Sequence, residues 1–162
     1  MKNIVHFFAV SIICIFAVSM SQAQTTTSAD KPANPTFDAE LAKRLGADQM
    51  GMRNYVLVIL KTGPKVIAPG KERDEIFKGH FANINRLATE GKLAVAGPFE
   101  DKNDWRGMFI FNVENVEDAQ KLTATDPVVK SGLMVAEYHK LYCSAALMEV
   151  GNIHKKIAEK DF

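Results

Sequence analysis

Residues 71–98 read KERDEIFKGHFANINRLATEGKLAVAGP, and the fold follows from how that stretch divides. Ile76, His80, Ile84 and Leu87 recur at spacings of four, four and three, so they share one face of an amphipathic helix over Lys71–Glu90. Gly91 is the residue type that ends such a helix in the left-handed conformation. Leu93–Ala96 then reads as a short buried strand, stopped by Gly97-Pro98. One histidine therefore lies inside the stripe that faces the rest of the protein.

Working outward, Asn54–Lys61 (NYVLVILK) is a β-branched and aromatic run without strong alternation, as in a strand covered on both faces. The loop TGPKVIAPG separates it from the helix. After a charged turn at Glu100–Asp104, Trp105–Val113 (WRGMFIFNV) forms a second long strand. It puts Met108, Ile110 and Asn112 on one face and Phe109, Phe111 and Val113 on the other. Asn115 caps a helix from Val116 to about Thr123, with Glu117 and Asp118 favourably placed in its first turn. Asp126-Pro127 breaks that helix, and Val128–Gly132 is a turn or short helix. Val135–Ala145 is the last strand, with Val135, Glu137, His139, Leu141 and Cys143 alternating against Ala136, Tyr138, Lys140 and Tyr142.

Strand, helix, strand, strand, helix, strand is the order of a ferredoxin-like α+β sandwich, an antiparallel sheet with two helices on one face. Strands apolar on both sides leave the second sheet face to be covered. A second copy of the chain is the expected cover, hence a homodimer.

The ends are of different material. Lys2, the apolar run Val5–Met20 and the small residues of Ser21-Gln22-Ala23 make a secretory signal peptide over residues 1–23, with cleavage expected after Ala23. A membrane anchor is the rival, but the apolar run falls short of the roughly 20 residues that span a bilayer. The product is then secreted or periplasmic, with no stable membrane anchor. Residues 24–36 (QTTTSADKPANPT) form a polar linker without apolar period. Residues 37–53 carry a short helix with Phe37, Leu41 and Leu45 at fourfold spacing, and residues 147–162 a lysine-rich tail. Between them, residues 54–146 make the one domain that 162 residues comfortably hold.

Hydrophobic residues at 47% and charged residues at 24% are the balance of a globular protein rather than a disordered one. Removing residues 1–23 takes Lys2 and no acid, so the 20 basic residues become 19 against 19 acidic ones. Without a basic field, nucleic acid is not an expected partner. Cys143 is then the only cysteine, too few for an internal disulfide and placed for burial in a strand.

Taken together, the helix histidine, EGKLAVAGP, GMFIF, VEDAQKL and DPVVKSGL resemble the YciI-like (YCII-related) family over about Tyr55–Tyr142. The resemblance implies a dimeric ferredoxin-like α+β fold. It also implies a histidine and an aspartate proposed as a catalytic pair; by position these are His80 and the aspartate of the Asp-Pro motif, Asp126. One relative is described as removing chloride from a chlorinated hydroxyhydroquinone.

Each candidate has a plainer reading. A helix histidine is often satisfied by a backbone carbonyl, but an imidazole held by a carboxylate can serve as general acid or base near neutral pH. Asp126 before proline also starts a turn by bonding nearby amides. Gly97 and Pro98 shape a strand end and are expected to wall a pocket, and Arg106 is a candidate partner for an anionic substrate. His139 and His154 lie apart from any Cys/His/Asp spacing that would hold a metal. There is no phosphate-cradling glycine loop and no Gly-x-Ser-x-Gly elbow, so no cofactor is expected. What results is an exported small-molecule enzyme of lyase or isomerase type using His80 and Asp126. The alternative is a binding or interaction domain that keeps the pocket without chemistry.

Overall fold

The structure, a computed structural model, describes Asn34 and residues 36–160. The expected signal peptide and nearly all of the linker lie outside the described residues. A compact unit begins at Asp38. In the short piece before it, the Phe37 N–H donates to the Asn34 carbonyl at 3.0 Å.

The unit runs α1 (Ala39–Leu45), β1 (Met52–Thr62), α2 (Lys71–Thr89), β2 (Leu93–Pro98), β3 (Trp105–Phe111), α3 (Val116–Thr123), α4 (Pro127–Lys130) and β4 (Met134–Ser144). A 3-10 turn (Ala145–Glu149) and α5 (Val150–Ile157) complete it. The strands form one sheet in the order β2-β3-β1-β4, and every neighbouring pair is antiparallel. That is the ferredoxin-like arrangement the element order predicts.

Val56 opposes Phe111 and Val58 opposes Phe109, which aligns the inward residues of the two central strands. With Leu60 they meet Leu87 and Ile84 of α2 and Ala119, Val116 and Leu122 of α3 in the main core. Both long helices thus cover one sheet face. Gly91, at φ 66°, ends the turn that follows α2, a left-handed conformation only glycine takes without strain.

Several boundaries differ from the sequence expectation. Gly97 and Pro98 do not stop β2; they pair with Met108 and Gly107 as its last residues. Because β2 lies at the sheet edge, the missing Pro98 N–H costs no internal ladder bond. Phe37 is not part of α1, since Asp38 caps the helix by accepting from the Leu41 N–H at 2.9 Å. Met52 and Arg53 belong to β1, pairing with Ser144 and Cys143, rather than to the helical extension.

The tail is also more attached than its composition suggests. Leu147 and Met148 pack on Tyr55, Ala94 and Ile110, so the chain covers part of the second sheet face with its own residues. Cys143 is half-buried beside them.

Candidate active site

His80 lies on the third turn of α2 and Asp126 is the N-cap of α4. The two meet because Gly79 lets α4 come close. A Cβ at that position would stand 2.9 Å from Pro127 Cγ, nearer than such carbons approach. The Asp-Pro pair has its own local logic: Pro127 suits the first helical position, where no N–H is needed. The Asp126 side chain accepts from the Val128 N–H at 3.1 Å. One carboxylate therefore both caps the turn and meets His80.

The carboxylate oxygens lie 3.0 and 2.8 Å from His80 Nδ1. Asp126 is fully buried and the His80 side chain is 11% exposed, so water does not compete for the contact. With Val128 donating to the same carboxylate, its oxygens act as acceptors, which assigns the proton to Nδ1 and leaves Nε2 as the acceptor nitrogen. Among the described residues Nε2 takes no protein partner. Phe77, Phe81 and Phe109 surround the ring, with centroids 6.1, 5.4 and 6.0 Å away. Position, tautomer and orientation of the imidazole are thus set by packing and one buried acid.

His80 lines a cavity of about 220 Å³ between α2 and the sheet. Gly97, Pro98 and Arg106 line it too, so four of the five residues singled out from sequence surround one space. Asp126 does not reach it and stands behind the imidazole. The rest of the wall is apolar: Leu60, Phe77, Phe81, Ile84, Met108, Phe109 and Met134. Phe77 and Phe81 lie outside the stripe of Ile76, His80, Ile84 and Leu87. Their own signal is present, because Phe77, Phe81 and Ile84 repeat at four and three beside the stripe that holds His80.

Arg106 reaches the cavity by a register change. Leu60 pairs with Gly107 but Lys61 pairs with Trp105, so Arg106 is the unpaired residue of a β-bulge. Strict alternation would place it with Ile110, which packs with Tyr55 and Ala94 on the other sheet face. Instead its Nε donates to Thr62 Oγ1 at 2.7 Å and its side chain lines the helix-side cavity.

The profile of the YCII-related domain family matches residues 54–139, more than half of the chain, and the chain belongs to that family. It is 28% identical over 81 residues to the "Uncharacterized protein YjpA" of Bacillus subtilis (strain 168), covering 50% of this chain and 85% of that one. Among solved structures it is similar to the 5-chloro-2-hydroxyhydroquinone dehydrochlorinase TftG from Burkholderia phenoliruptrix AC1100, in complex with 2,5-dihydroxybenzoquinone. That likeness has a TM-score of 0.35 and 22% identity, over 51% of this chain and 90% of the other. A similarity of that depth carries no chemistry across.

Proposed function

We propose that this YCII-related protein is a cofactor-independent enzyme that moves a proton on a small, single-ring organic substrate, with His80 as acid–base residue and Asp126 as its positioning residue. The observation that supports it is the 2.8 Å contact from a fully buried carboxylate to one imidazole nitrogen while the other is left for the cavity. Nε2 takes a proton from a carbon beside a carbonyl, leaving an enolate. Returning the proton at another carbon gives isomerisation. Loss of a leaving-group anion from the β-carbon, with a double bond formed from the enolate electrons, gives elimination. Asp126 keeps the imidazole in the productive tautomer and balances the imidazolium formed on the way. The apolar walls exclude water and suit one flat ring, since a cavity of about 150 Å³ holds benzene.

Deuterium incorporation from heavy water into a panel of cyclic enolisable ketones and phenols, followed by proton NMR, tests the reading. His80→Gln keeps a donor toward Asp126 but removes the base, and should slow exchange by about 10²-fold or more. Exchange at the wild-type rate in that variant would remove the proposal.

Export and pairing are part of the same proposal. The first supports itself on the N-terminal pattern, and the intact mass of the mature chain checks cleavage after Ala23. The second is supported by Trp105 and Val135, 39% and 43% exposed, which are the two cross-strand partners of one β1 residue, Lys61. Sedimentation of the wild type against Val135→Glu checks it.

A further inference from the structure

A second cavity of about 150 Å³ adjoins the His80 chamber and shares Phe77, Arg106 and Met134 with it. Its remaining wall includes Thr62, Gly63, Lys65 and Arg73. Three cations and no carboxylate therefore line one small space, in a protein whose charges otherwise nearly cancel.

Four cations elsewhere in the fold have a carboxylate beside them. Lys61 pairs with Asp104 and Glu137, Arg86 with Glu90, Lys121 with Asp118, and Arg44 with Glu149. Lys65, Arg73 and Arg106 carry no ion pair among the described residues. The two arginines are nonetheless held in place. Arg73 Nη1 donates to the Ile67 carbonyl at 3.2 Å, and its guanidinium lies 5.5 Å from the Phe77 ring centroid. Arg106 is anchored through Nε on Thr62, which leaves its two terminal nitrogens unbonded. The backbone of Lys65 is fixed by its N–H to the Gly132 carbonyl at 3.1 Å. Asp104, two residues from Arg106, is engaged by Lys61 at 3.3 Å, and Glu72 and Asp74, which flank Arg73, are exposed and do not line this wall.

Like charges gathered without a counterion repel one another, and two anchored guanidinium forks present donors matched to a planar or tetrahedral oxyanion. From this we infer that the vestibule is an anion subsite, and that the substrate of the His80 chamber carries a carboxylate or similar oxyanion on its ring. The inference rests on the larger cavity being the substrate chamber. The apolar body lies against Phe77, Phe81 and Phe109, and the head group is held by Arg73 and Arg106 with Lys65 adding charge. A bulge that turns one arginine inward then has a use: it gives an apolar chamber one charged end, which fixes which ring edge meets Nε2.

Benzoate, phenylphosphonate and the neutral benzamide, titrated into the full chain by calorimetry and NMR, test this. An oxyanion probe should bind at least about tenfold more tightly than benzamide, the worth of one charge-assisted contact. Arg73→Gln and Arg106→Gln should each cut that advantage and together erase it, so that benzoate and benzamide bind the folded double variant alike. Arg106→Lys should retain part of the advantage. Equal binding of charged and neutral probes, binding by none, or an advantage that survives in the double variant overturns the inference. His80→Gln separates the two readings. Anion preference lost while His80-dependent exchange persists removes the subsite alone; preference kept without any such exchange removes the catalytic proposal alone.

Discussion

Two histidines among the described residues touch a carboxylate at the same distance, and they differ in how far water reaches the contact. His80 Nδ1 lies 2.8 Å from Asp126, and His139 Nε2 lies 2.8 Å from Glu137. The first pair has side chains 11% and 0% exposed, the second 51% and 48%. On β4 the Glu137 and His139 side chains share a face by simple alternation, and water can replace either partner at little cost. Beneath α2 no water replaces Asp126, so its contact dictates the tautomer and the ring cannot turn away. A short contact measures proximity; exclusion of water turns proximity into constraint.

Removing each acid should expose that difference most strongly. Asp126→Ala takes away the α4 cap, about 1 kcal/mol, and orphans a buried imidazole nitrogen, about 1–3 kcal/mol, for a total of about 2–4 kcal/mol in urea unfolding. Glu137→Ala should leave the urea midpoint within error. Equal losses in the two variants would mean that burial is not what distinguishes the pairs.

A smaller effect is expected from Gly79→Ala, which touches neither histidine nor acid. Alanine improves helix propensity by about 1 kcal/mol, yet its methyl must push Pro127 outward. Stability should change little because the two effects oppose. The Nδ1 proton of His80 should exchange faster with solvent as Asp126 is drawn back with α4, and His80-dependent proton transfer should fall several-fold. An unchanged Nδ1 signal would show that α4 adjusts without moving its cap.

The smallest effect concerns a third acid, Asp48, which is exposed. The Tyr142 hydroxyl donates to Asp48, and with the N–H groups of Met52 and Met50 it holds that carboxyl below its ordinary 3.8. A lowered folded-state value means the contribution to stability is complete above pH 3.8 and is lost as the pH falls further. Tyr142→Phe should therefore narrow its stability gap to wild type only below about that pH. Both groups are exposed, so the change is small, and acid titrations of the two proteins that stay parallel throughout would discount it.

Much of this molecule is legible in a single chain because its signals are local. The stripe through His80, the Asn115 cap and the inward Phe109 and Phe111 follow from periods of 3.6 and 2 and from backbone hydrogen-bonding rules. Errors gathered where a neighbour outweighed the local signal. Pro98 joined a strand because that strand is an edge, and Leu147 and Met148 left a polar tail to cover Tyr55. Phe81, 44% exposed, reads as a misplaced surface residue until the cavity beside it is seen.

The sequence by itself determined the elements, their order, and the presence of an imidazole on an apolar helix face. Family membership, too, is written in motifs that need no coordinates. Tertiary structure decided that this imidazole meets Asp126, 46 positions away, because contact depends on how closely two helices approach, and that approach turns on the absent side chain at Gly79. It also decided the direction of Arg106, since one unpaired residue in a ladder reverses which face a side chain takes. Periodicity specifies a side of an element, whereas packing and register specify what that side encounters.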